Sequence, residues 1–309
     1  MTNKTREYAE KVLVRPNPPG ASYPHLGAFE STRLVGTGTD VLGTTRHIER
    51  WRFDLELLRT AGISELRYSV PWHRIEREPG SFDFSWFDGP MEYLQKHGMR
   101  PILDPIHHVS FPDWLDQGFA NPDFARYYER FIVRLAERYP WVERYTIFNE
   151  PLPTTVLCAL SGDWYPYHAS EDSFVSMAIN VGKSICVASR ALLKVNQQVQ
   201  FVHVESAEMH WTLDRKSAPW VQFANCRRYL LHDLILGAVT RSHELYPYLQ
   251  RHGFTEDDLH WLHDNRARID VLGLDYYTHS EIDWYWDKSL GRANIAWPVT
   301  QPAGFAILG

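Results

Sequence analysis

PILDPIHHVSFPDWLDQGFANPDFARYYERFIVRLAERYPWVERYTIF, residues 101–148, reads as a strand, a helix and a second strand. The apolar run Pro101–Ile106 is the first strand. Pro122–Tyr139 follows as a helix with Asn121 as its N-cap and Pro122 at the first helical position, where a missing N–H costs nothing. Tyr145–Phe148 is the second strand. Two strands joined through a helix of this length lie parallel, with the helix covering the sheet.

The pattern continues in both directions. Upstream, Leu26–Phe29 is a strand. In His47–Ala61, Trp51, Leu55, Leu58 and Ala61 recur at helical spacing before the C-capping Gly62. Leu66–Val70 is the next strand, and Phe87–His97 a helix ending at Gly98. Downstream come a long helix, Glu171–Val195, capped by Ser170, then a strand at Val199–Val204, a helix at Pro219–Val239 and a strand at Val271–Leu274. Strands alternating with helices predict an α/β fold of the (βα)8 TIM-barrel type, in which chemistry gathers at the C-terminal ends of the strands. About six of the eight strands are expected here, with Gln301–Gly309 as the start of a further helix and the chain cut before the seventh strand. No linker or low-complexity tract interrupts the pattern, so residues 1–309 are expected to be one C-terminally incomplete barrel domain.

Bulk properties narrow the function. The formal charge of −6, with no basic patch, argues against nucleic acid. Three cysteines, Cys158, Cys186 and Cys226, lack paired or CxxC spacing, so neither a disulfide framework nor a zinc site is expected. The polar start MTNKTREYAEKV has no apolar signal core, and no apolar run is long enough to span a bilayer. A cytoplasmic location, with no membrane partner and no cofactor, is the default expectation. The 12 Trp, 16 Tyr and 15 Phe suit both a large core and a site that stacks sugar rings.

Glu150 lies in YTIFNEP, just past a predicted strand end, beside Asn149. That pair suits glycoside cleavage: the acid protonates the leaving oxygen while the amide holds a neighbouring sugar hydroxyl. Four segments, LRYSVPWHRIEREPG (66–80), IHHVSFPDWL (106–115), YTIFNEP (145–151) and HGFTEDDLHWL followed by DVLGLDYYT (252–262 and 270–278), resemble in order those of glycoside hydrolase family 1, the β-glucosidase and 6-phospho-β-glucosidase family. The resemblance implies a retaining two-carboxylate mechanism with Glu150 as acid/base and Asn149 on the sugar 2-hydroxyl. It further implies that His108 bonds the sugar in the innermost subsite, that Arg67 keeps a nucleophile ionised, and that Tyr276 donates to that nucleophile. Trp72, Trp114 and Trp164 are the first candidates to line the sugar cleft. His107 and His108 point to opposite faces of an extended segment, so one metal ion cannot take both, and His107 is expected to pack.

The departures concern substrate contacts. HLGAFESTRL lacks the family's sugar-binding Gln, Val109 stands where the family has Trp, and Asp275 where it has Asn. Glu205 and Asp275 are therefore candidates for altered hydroxyl contacts. Glu30 is a weaker one. The family's nucleophile, a Glu in a Thr-Glu-Asn-Gly motif on the seventh strand, has no counterpart here and is expected beyond residue 309. A non-catalytic carbohydrate-binding barrel and an endo-glycanase of the same barrel clan remain the alternatives. The sugar and the oligomeric state are unknown.

Overall fold

The computed structural model describes residues 25–296. Both the polar N-terminal segment and the helix expected at Gln301–Gly309 lie outside the described residues. Six strands form one sheet: β1 (Leu26–Phe29), β2 (Glu65–Ser69), β3 (Arg100–Asp104), β4 (Arg144–Tyr145), β5 (Gln200–Ser206) and β6 (Val271–Asp275). They pair in chain order, every pair parallel, from β1 at one edge to β6 at the other. Helices α1 (His47–Thr60), α2 (Ser85–Lys96), α3 (Phe124–Arg138) and α4 (Glu171–Val195) connect the first five strands. This is a partial (βα)8 barrel.

Side chains alternate across the sheet, and the alternation sorts the two faces. Leu66 and Tyr68 of β2, Leu103 of β3 and Phe201 of β5 join the large core that the helices cover. On the opposite, inner face Ile102, Val202 and Val204 make a small apolar cluster. Arg67 is the middle of the three positions of β2 on this face, between Glu65 and Ser69, and the last inner-facing positions of β3 and β6 are Asp104 and Asp275. Charge is thus carried at the C-terminal rim, above an apolar floor. Gly273 is required there: a Cβ on it would lie 2.9 Å from Val204 Cγ2.

Several expected boundaries shift for local reasons. α3 begins at Phe124, because Asn121 Oδ1 accepts the Asp123 N–H at 2.9 Å and closes a turn that still contains Pro122. Regular pairing of β4 ends at Tyr145. The chain then rejoins the sheet at Asn149, which bridges to both His107 and Val204. The helix expected over Pro219–Val239 is two helices, Ala218–Arg227 and Leu230–Ile235. The first buries only Ala224, whereas the second buries Leu230, Leu231, Leu234 and Ile235, so the two meet different surroundings and one straight helix cannot serve both. Ser170 caps α4 as expected, accepting the Ser173 N–H at 3.1 Å. A second sheet joins Met209–Trp211, Glu281–Asp287 and Arg292–Ala296.

Candidate active site

Glu150 sits where the chain leaves the sheet and enters the short helix Pro151–Thr155. Its φ is +43°, and His108, on the neighbouring turn, has φ +54°. Left-handed backbone at two non-glycine residues is costly, and such strain gathers at functional sites. Here it re-aims the chain. The kink at His108 brings the rings of His107 and His108 within 4.9 Å of each other, and both Nε2 atoms lie 3.4 Å from Asn149 Nδ2.

A charged network orders this rim. Arg67 Nη1 donates to Asn149 Oδ1 at 2.6 Å, with its Nε 3.8 Å from Asp104 and its Nη2 4.0 Å from Asp275. His107 Nδ1 bonds Asp104 at 2.6 Å and its Nε2 lies 3.3 Å from Glu30. Burial disfavours a charge on His107, but the Asp104 charge and the bonds to Asp104 and Glu30 outweigh it and push its pKa up to about 9. The bond from His107 holds Glu30 down at about 2 against the effect of its partial burial. His108 goes the other way. Burial and then the charge on His107 bring it down to about 3, so it stays neutral, with Nδ1 2.9 Å from Thr154 Oγ1 and Nε2 3.5 Å from Glu150.

Glu150 itself is 7% exposed. Burial first, then the charge of Asp275, raises its pKa to about 7, against the pull of His107 and Arg67. A carboxyl so placed is protonated for much of the time near neutrality and can give up its proton there. Beside it opens a cavity of about 490 Å³ lined also by Tyr277, Glu208, Arg227 and Arg228, a size suited to a small ligand.

Of the side chains expected at the site, Glu150, Asn149, His108, Arg67 and Asp275 converge at the strand ends, and Trp164 packs edge-on against His108 at 5.1 Å. The others lie elsewhere. Trp72 is fully buried, stacked on Phe131 at 4.9 Å with its indole N–H on Glu76 at 2.7 Å. Trp114 packs edge-on against Trp72 and Tyr127 and donates to the Glu76 carbonyl. Both serve the core, where an apolar ring with one polar handle finds its partners. Tyr276 is 60% exposed and donates to Glu281 at 3.0 Å. One residue on, alternation turns Tyr277 toward Glu150, whose charge helps burial to raise the Tyr277 pKa. Glu205 is 1% exposed and shares the helix-facing side of β5 with Phe201 and His203, its two oxygens accepting the Leu152 and Ser206 N–H groups at 3.1 and 3.0 Å. It has no access to a sugar. His107, expected to pack, is buried but joined to the polar network. Asp104 and Thr154 were not anticipated; Asp104, three residues before His107, was the readable signal.

The family model for Glycosyl hydrolase family 1 matches residues 32–294. Among curated proteins, the chain is 22% identical over 296 residues to a 1,4-β-D-glucan glucohydrolase of Thermotoga neapolitana, covering 85% of this chain and 66% of that protein. It is 21% identical over 264 residues to β-glucosidase 1 of Oryza sativa, covering 76% of this chain and 49% of that protein. A segment of 106 residues is 43% identical to β-galactosidase BgaH of Haloferax lucentense, 33% of this chain and 15% of that protein. The solved structure of a β-glucosidase from Thermotoga maritima in complex with deoxynojirimycin superposes with a TM-score of 0.71 at 18% identity, over 81% of this chain and 58% of that one. The chain therefore spans about half to two-thirds of the length of the glucohydrolase, the Oryza sativa β-glucosidase and the solved Thermotoga maritima β-glucosidase. With the ordered motifs, the partial barrel and the family match agreeing, the chain belongs to glycosyl hydrolase family 1.

Proposed function

We propose that this chain carries the acid/base side of a site that cleaves β-glycosidic bonds, with Glu150 as the proton donor. The carrying observation is the raised pKa of Glu150, about 7, in a buried position at the mouth of the partial barrel. Asn149 supports it. Arg67 occupies the amide oxygen, so Nδ2 is the end left to reach a sugar hydroxyl. Neutral His108 stands beside Glu150 as a second sugar-binding group, and Trp164 offers a ring for the apolar face of a pyranose. β-Glucosides are the first substrate class to test, since several relatives are named for that activity. A retaining mechanism needs a second carboxyl about 5–5.5 Å from the first. It is expected in the part of the family length that this chain does not span, next to Arg67, whose positive charge would keep it ionised.

In the whole barrel, Glu150→Gln is expected to slow hydrolysis of alkyl β-glucosides by about 10²–10⁴-fold. It should slow the first, glycosylating step on a dinitrophenyl β-glucoside far less, because that leaving group departs without a proton. Equal loss of that step on both substrates would remove Glu150 from the role.

A further inference from the structure

On the helix-facing side of β5, His203 and Glu205 stand two residues apart and so point the same way. Opposite them is His232 of the helix Leu230–Ile235. The rings of His203 and His232 are 4.4 Å apart, nearly perpendicular, and one ligand atom from each of His203, Glu205 and His232 lies within 4.8 Å of the others. Three ring nitrogens here are buried with no hydrogen-bond partner among the described residues: His203 Nε2 and both nitrogens of His232. A buried donor or acceptor left unmade costs about 1–3 kcal/mol, and a cluster of them calls for an explanation.

We propose that His203, Glu205 and His232 form a binding site for one divalent transition-metal ion, Zn²⁺ by its donor set. Two imidazoles and a carboxylate are a zinc combination, at bond lengths of about 2.0–2.2 Å, and leave a fourth position for water. Donors around one such ion stand roughly 3.5 Å apart, so a small rotation of His232, the least buried of the three, completes the geometry. The protonation states favour uptake. Burial, then the neighbouring His232, brings His203 down to about 3, and burial lowers His232 as well, so both offer lone pairs at neutral pH. Burial holds the Glu205 carboxyl well above its usual range. The ion competes with protonation of that carboxyl, so it is held more tightly as pH rises. Once bound, it ties β5 to the helix layer and, through the Glu205–Leu152 bond, to the turn two residues beyond Glu150. This site is separate from the acid/base network and does not depend on its function.

The test is titration of the chelator-treated chain with Zn²⁺ and Co²⁺. Expected are one Zn²⁺ per chain by calorimetry, a visible Co²⁺ absorption band, and a rise in Tm of about 5 °C or more at saturating zinc. His232→Gln and His203→Gln should each weaken binding at least a hundredfold and abolish the zinc-dependent rise in Tm. The exposed His263→Gln should change neither. Metal-free melting of each variant shows whether it folds, and the partly exposed His232→Gln is the informative one should the core variant fail. No saturable zinc uptake by the unmodified chain, or equal uptake by folded His232→Gln, overturns the site.

Discussion

Arg67 and Asn149 lie 82 residues apart in sequence and are joined by a hydrogen bond of 2.6 Å from Nη1 to Oδ1. The bond fixes which end of the amide faces the cleft. The same guanidinium approaches two aspartates, Asp104 with no exposure, which also bonds His107, and Asp275 with part. One side chain on β2 thus organises groups from β3, β6 and the end of β4.

Removing that cation leaves buried carboxylates under-compensated, which typically costs about 3–5 kcal/mol. Arg67→Met is therefore expected to destabilise the chain by about 3 kcal/mol, because its head is partly exposed. Urea unfolding at pH 7 measures the loss. A change under about 0.5 kcal/mol, the scale of an ordinary surface substitution, would show that the network does not need Arg67.

Glu150 should stabilise the protein when it is lost. Its folded pKa, about 7, exceeds the ordinary 4.5, so between those values the folded state holds a proton that the unfolded chain has released. Stability falls as pH rises through that window and does not recover above it. Glu150→Gln removes the penalty. The variant is expected to match the parent near pH 4 and to exceed it by about 3 kcal/mol at pH 8, given about 1.4 kcal/mol per pKa unit. Equal stabilities at both pH values would mean that Glu150 is not held in its acid form.

The tryptophans separate core from site. Trp72 fills a sealed position against Phe131 and bonds Glu76, so Trp72→Ala should cost about 3–5 kcal/mol. Trp164→Ala, at a half-buried residue beside His108, should cost less stability and weaken sugar binding in the whole barrel. Both effects read directly in melting curves and in calorimetry with a β-glucoside. The reverse ranking would return Trp72 to the site.

The barrel was legible because its signals are local and repeated: apolar runs, helical spacing, and caps such as Ser170. Glu150 and Asn149 were legible because they sit together on one short motif. What failed was facing. Alternation along β5 and β6 puts Glu205 with His203 toward the helices and Tyr277, rather than Tyr276, toward Glu150. A strand boundary wrong by a residue reverses that parity. His107 was misjudged for a related reason. Opposite facing assumes extended backbone, and the left-handed turn at His108 breaks that assumption. The tryptophans carried no facing signal, since an indole suits a core and a sugar cleft equally well.

His107 and Glu30 make the last prediction. The His107 ring bonds Asp104 on one side and approaches Glu30 at 3.3 Å on the other. Its pKa rises from 6.5 to about 9, while that of Glu30 falls from 4.5 to about 2. For His107 the folded value is the higher, so its contribution to stability is complete below 6.5 and is lost as pH rises toward 9. For Glu30 the folded value is the lower, so its contribution is present above 4.5 and is lost as pH falls toward 2. The two overlap between those limits, which sets a plateau on the acid side of neutrality. Glu30→Gln removes one of the two carboxylates on the ring and leaves Asp104. The His107 titration midpoint, followed by NMR of the imidazole, is expected to fall by about one unit and still exceed the ordinary value. The alkaline decline in stability should then start at the same pH but end earlier and be smaller in the variant. An unchanged midpoint would assign the whole shift to Asp104 and leave Glu30 as a bystander at the rim.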